Sequence, residues 1–204
     1  MSEKSNLFKE RELNYLHNTD FLITKREILK KLRILFKETE YELNQEIKSF
    51  EKNFPKDVLI KGGKLSKGEN YRALPFLILD YPRLFKSNTI FAFRTMFWWG
   101  NFFSCTLHLQ GDILENYREA LGVSMNDLYK KNVFIGVSEN PWEYHYDSSN
   151  YILIDELPEI ELNKIVKEKT FIKISRYIKV DEYEMLPHFS SNTLLLFLST
   201  LNFK

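Results

Sequence analysis

In the stretch WEYHYD, residues 142–147, three side chains capable of chemistry alternate with three aromatics. On an extended strand Glu143, His145 and Asp147 point to one side, and Trp142, Tyr144 and Tyr146 to the other. Two carboxylates flanking an imidazole suit a divalent metal or acid–base catalysis. One reading is therefore a hydrolytic or metal-assisted enzyme centred on Glu143, His145 and Asp147. A metal would need a further ligand from His108 or His188, and nothing local points to either, so no metal site is assigned. A half-exposed strand over an aromatic core shows the same alternation without any chemistry.

A second candidate is FAFRTMFWWGNFFSCTLHLQG, residues 91–111, which interleaves rings with threonines, an arginine and a histidine. Gly100-Asn101 suits a two-residue type II′ hairpin, since glycine takes the first central position without strain. Trp99 then faces Phe102. Phe93, Thr95, Phe97 and Trp99 share a face with Thr106 and His108, a mixture that fits the floor of a ligand pocket. The opposite face carries Ile90, Ala92, Arg94, Met96 and Trp98 and should meet the core, with Arg94 requiring an anionic or carbonyl partner. A one-residue bulge would instead set Arg94 beside Thr106 and His108.

Other motifs fail on their own chemistry. Gly63 and Gly68 have phosphate-loop spacing, but Glu69-Asn70 follows where lysine and a hydroxyl residue are required. Gly122-Val-Ser124 and Gly136-Val-Ser138 lack the second glycine of a nucleophile elbow. No dinucleotide fingerprint follows any expected strand, and the sequence specifies no cofactor. Cys105 and His108 are three positions apart, an odd offset, so a strand points them to opposite faces and a thiol–imidazole pair is not expected. Cys105 is the only cysteine, which excludes an intramolecular disulfide and a cysteine zinc cage.

The 29 basic and 28 acidic residues of the 204 nearly cancel, leaving no whole-chain footprint for nucleic acid or an anionic membrane. The longest apolar run, TLLLFLSTLNF, is about half of the roughly 20 residues a membrane span needs. The N-terminal stretch is charged throughout and has no signal-like run, so the cytoplasm is the expected compartment.

The elements that must hold these groups follow from periodicity. Ile28, Leu32, Leu35, Phe36, Leu43, Ile47, Phe50 and Phe54 recur at helical spacing after a Thr24/Glu27 capping pair and before Pro55. The first ~20 residues are expected to be loosely ordered. Residues 61–70 read as a polar loop. Strand character follows in YRALPFLILDYP, with Pro75 suggesting an edge or a ladder that begins late, then in the hairpin, VFIGVS, WEYHYD and YILID. Helices are expected at 112–121, closed by Gly122, and at 158–168. FIKISRYIKV reads as an amphipathic strand, and the apolar C-terminus as a buried helix kinked or interrupted near Pro187.

The fold expected is α+β: a mostly antiparallel sheet of about six strands, with a long N-terminal helix and a C-terminal helix packed on it, in one domain spanning 1–204. The leading functional expectation is a non-enzymatic module binding a small molecule or protein partner on the aromatic hairpin face. The enzyme above and a structural subunit of a complex are the alternatives.

Overall fold

The computed structural model describes residues 7–203. It is α+β, as the sequence predicts. The antiparallel sheet contains β1 (Lys64–Tyr71), β2 (Leu74–Lys86), β3 (Thr89–Trp98), β4 (Phe102–Gln110), β5 (Phe134–Gly136), β6 (Tyr151–Leu153) and β7 (Phe171–Lys179). These seven strands lie in the order β1-β2-β3-β4-β7-β5-β6. The helices are α1 (Glu10–His17), α2 (Thr19–Ser49), α3 (Asp112–Ser124), α4 (Glu159–Glu168) and α5 (Leu186–Ser199). No described helix is long and apolar enough to cross a membrane.

The 31 residues of α2 make a rod about 46 Å long. Its buried stripe, Leu32, Phe36, Thr39, Leu43 and Ile47, advances by three or four residues and lies on the sheet beside α5. The helix begins earlier than Thr24, because the Asn18 side chain accepts the Phe21 N–H at 3.0 Å and caps it there. The stretch expected to be loose carries α1, which buries none of its side chains. At the other end Pro187 sits in the first turn of α5, where its missing N–H costs nothing, so the helix is not interrupted.

Strand assignment departs from expectation in two places. Residues 64–70, expected as loop, form edge strand β1 together with Tyr71, paired with β2 from Lys64↔Asp80 onward. Their lysines and Glu69 suit a sheet margin, which is polar because one side has no partner strand. Pro75 consequently lies not at an edge but near the start of β2, between β1 and β3. Conversely, residues 142–147 form no strand. The N–H groups of Tyr144 and His145 both donate to the Tyr71 hydroxyl, at 2.7 and 3.1 Å, rather than to a neighbouring backbone.

The main core lies between the sheet and the helices. Leu77, Leu79, Phe91, Phe93, Phe97, Phe103, Cys105, Leu107, Leu109, Ile172 and Ile174 meet Phe36 and Leu43 of α2, Leu194 and Phe197 of α5, and Leu114 and Leu121 of α3. Helix α3 runs through Gly122 and ends at Ser124. It starts directly from β4 at Gly111 (φ +65°), where a β-carbon would overlap the Asn88 carbonyl oxygen. Gly100 (φ +72°) has open space around its Cα. Gly100→Ala should therefore cost only about 1–2 kcal/mol of left-handed strain. Gly111→Ala should cost distinctly more, because the β3–β4 margin must also move. Urea denaturation of the two variants checks the order.

Candidate functional site

The hairpin turn does not follow the two-residue expectation. Trp99, Gly100 and Asn101 connect the strands, and the Asn101 N–H donates to the Trp98 carbonyl at 3.0 Å. Gly100, with its positive φ, is thus the second central residue of that turn. Trp98 then pairs with Phe102, Arg94 with Thr106 and Ala92 with His108. The slip of one residue moves the two β4 members of the expected set across the sheet. Phe93, Thr95 and Phe97 lie on the helix face with Cys105, while Thr106 and His108 lie on the opposite face with Arg94. The six residues share no surface, and all but Trp99 are buried.

Arg94 finds the anion that an arginine among strand aliphatics needs. It meets Asp80, its cross-strand partner on β2, in a two-pronged pair at 2.7 and 3.0 Å. Its third nitrogen contacts the Tyr144 hydroxyl. The rings of Tyr144, Trp142 and Phe85 stand 5.2, 5.8 and 5.9 Å from the guanidinium carbon. Next to this group, Lys173 of β7 is fully buried. Its Nζ donates to the Glu143 carbonyl at 2.5 Å and lies 5.0 Å from the Tyr151 ring. Burial draws the Lys173 amine down to about 7; Arg94 acts in the same direction, and Glu143 opposes it. Burial, reinforced by Lys173 and Arg94, holds His108 down at about 3, so this imidazole is neutral at physiological pH.

The cover over these groups is the irregular segment 137–150, anchored through Tyr71. The Tyr71 hydroxyl donates to Glu143 Oε2 at 2.9 Å and accepts the two N–H groups already named. His145 Nδ1 stands 3.0 Å from that hydroxyl and 3.1 Å from Glu143 Oε2. On the ring's other side, Nε2 is 3.2 Å from Asp147 Oδ1, and Asp147 reaches Arg72 at 3.3 Å. The structure thus brings Glu143, His145 and Asp147 together, but around the imidazole rather than around an empty point. Each ring nitrogen has a carboxylate beside it, and the ring is buried. Among the described residues no three His, Cys, Asp or Glu side chains converge to hold a metal. The arrangement clamps the segment to the β1–β2 turn.

Tyr146 continues the cover. Its ring stacks on Tyr151 at 4.9 Å and meets Phe102 at 5.0 Å, and its hydroxyl contacts Ser175. Ser175 also lies 2.6 Å from the Thr106 hydroxyl, which places that predicted residue inside a closed hydroxyl network. On the helix face, Cys105 is wholly buried, its sulfur 3.2 Å from Ser190 Oγ. Burial raises the thiol to about 11, well away from nucleophilic range.

One part of the aromatic hairpin does reach a surface opening. Phe97 and Phe103 form the floor of a groove of about 370 Å³. Ile28, Leu32, Ile34 and Leu35 of α2 make one wall, and Val180 with Tyr183, from the 3₁₀ segment before α5, the other. Lys31 and Glu38 stand on its rim. Trp99 packs edge-on against Phe97, ring centroids 5.8 Å apart. Of the predicted ligand set, only Phe97 lines this opening and Trp99 supports it. The sequence signals α2's wall as a helical stripe, but nothing local reveals that the 3₁₀ segment stops short of it.

Two outcomes test the covered layer. Asp80→Ala leaves a buried, unpaired guanidinium and should destabilise by about 3–5 kcal/mol, whereas the Asp80→Leu/Arg94→Met double variant should recover most of that loss. Chemical denaturation of the set forms the cycle. Lys173 has a folded-state pKa below its unfolded value, so between about pH 7 and 10 the unfolded chain binds more protons and stability rises with pH. Lys173→Met should flatten that rise, read from urea midpoints at successive pH values. Comparison with protein families, with curated proteins and with solved structures finds no match for this chain.

Proposed function

We propose that this protein is a non-enzymatic binding module that takes an apolar small molecule in the groove between α2, the β3–β4 hairpin and the 3₁₀ segment before α5. The observation that carries the reading is the groove itself: about 370 Å³, lined almost wholly by carbon, with Lys31 and Glu38 at its mouth. That volume falls in the range of roughly 300–1,000 Å³ typical of small-ligand sites, where apolar walls supply affinity and a few polar groups orient the ligand. Phe97 and Phe103 present ring faces held by the sheet, so little side-chain ordering opposes binding.

The non-enzymatic part of the reading is supported by the second sheet face. There Arg94 is paired with Asp80 under residues 137–150, and both nitrogens of His145 are beside carboxylates of its own segment. Among the described residues that line the groove there is no histidine, cysteine or serine.

Anilinonaphthalene sulfonate, a fluorophore with an apolar aromatic body and one sulfonate, serves as the probe. It should bind saturably at one site, and Leu35→Trp, which fills the groove from a partly exposed position, should weaken it by roughly tenfold or more while the melting temperature stays close to that of the parent. Apolar metabolite-sized compounds should displace the probe and raise the melting temperature. Equal probe binding in the parent and in Leu35→Trp would remove the groove as the site.

A further inference from the structure

The groove between α2 and the 3₁₀ segment before α5 carries charge at two points. Of the described residues that line it, Lys31 and Glu38 are the charged ones, and the remainder are apolar apart from the Tyr183 hydroxyl. They stand seven positions apart on α2. Seven residues are nearly two full turns, so both lie on one side of the helix, separated by about 10.5 Å along its axis. Both are exposed, and neither enters a salt bridge among the described residues.

The surroundings leave these two heads to a ligand. One turn from Glu38 in either direction stand Ile34, Leu35, Tyr41 and Glu42, none of them basic. Lys31 has Glu27 one turn before it, yet no salt bridge joins them. On the facing wall, Glu182 accepts the Lys179 amide at 2.8 Å and Glu184 accepts the Tyr183 hydroxyl at 3.1 Å, so both are held by their own segment. The stems of Lys31 and Glu38 belong to the carbon lining, and their heads stand at its mouth. An apolar ligand that covers the stems also strips water from the heads, which costs free energy unless the ligand supplies the opposite charge. A carboxylate alone answers Lys31 and leaves Glu38 unmatched; an amine alone does the reverse.

Resting on the reading of this groove as the ligand site, we infer that its ligand is an elongated zwitterion. Its apolar body lies on Phe97 and Phe103, its anionic group meets Lys31, and its cationic group meets Glu38. Charge complementarity fixes direction and length together. A molecule laid in end for end would put like charge on like at both ends, and one of shorter span would reach a single head. The same two residues that attract therefore also discriminate.

Dissociation constants of four straight-chain probes, measured by NMR titration at low salt, test the assignment. The probes are octan-1-ol, octanoate, octylammonium and 8-aminooctanoate, whose extended chain spaces its two charges by about the distance between the heads. Lys31→Glu and Glu38→Lys should each weaken 8-aminooctanoate by about threefold or more, since each turns one attraction into a repulsion. The Lys31→Glu/Glu38→Lys double variant should restore it, with the probe reversed in the groove. Octanoate should weaken on Lys31→Glu and tighten on Glu38→Lys, and octylammonium should do the opposite, a pair of gains that a damaged fold does not produce. Binding of 8-aminooctanoate that is equal in the parent and both single variants overturns the inference. So does a loss that the double variant fails to restore. Octan-1-ol separates this failure from that of the groove itself. If it binds the parent and is weakened by Leu35→Trp while 8-aminooctanoate ignores the rim charges, the zwitterion alone is wrong. If octan-1-ol does not bind, or binds Leu35→Trp equally, the groove is not the site and the inference falls with it.

Discussion

A single backbone hydrogen bond, from the Asn101 amide to the Trp98 carbonyl, fixes how the two central strands face each other, and the chemistry of both sheet faces depends on it. Side chains along a strand alternate, so the connection at Trp99–Asn101 decides which of two sets looks toward the helices. With the observed pairing, aliphatic and aromatic groups collect on the helix side, and Arg94, Thr106, His108 and Lys173 collect on the other. A connection shorter by one residue would bring Thr106 and His108 to the side of Phe93 and send Cys105 and Leu107 to that of Arg94, while Arg94 kept Asp80, its partner across β2 and β3.

Placing charge on the second face creates a demand that segment 137–150 meets. Asp80 balances Arg94, but Lys173 has only a backbone carbonyl and ring faces around it, an environment that stabilises a cation weakly and a neutral amine without penalty. The tyrosines are suited to this work. Each offers a broad apolar body to the sheet and a hydroxyl that reaches Arg94, Ser175 or Glu143, so one side chain fills volume and satisfies a polar group together. The carboxylates on either side of His145 then tie the segment to Tyr71 and Arg72 at the far margin of the sheet.

Much of this architecture is legible in the chain. The helical period of α2 is unmistakable because a long amphipathic stripe repeats the same signal many times, and the alternation in β3 and β4 identifies both strands. The need of Arg94 for an anion is legible too, and Asp80, the lone carboxylate in β2, answers it. The misreadings have local causes. WEYHYD alternates without being a strand because its amides are taken by Tyr71, a partner about seventy residues earlier that no local pattern reveals. β1 reads as loop because a margin strand needs no apolar face. Lys173 looks solvent-directed because lysine usually is, and only the fold, which lays Glu143 and Tyr144 over that face of β7, shows that it is covered.

The two margins of the sheet have a consequence of their own. One is β1, studded with Lys64, Lys67 and Glu69, the last held by Lys25 of α2 at 3.0 Å; the other, β6, is only three residues long. Neither presents the long, flat, uncharged row of amides and carbonyls on which a further strand could nucleate, so amyloid-like polymerisation has no template at either end of this fold.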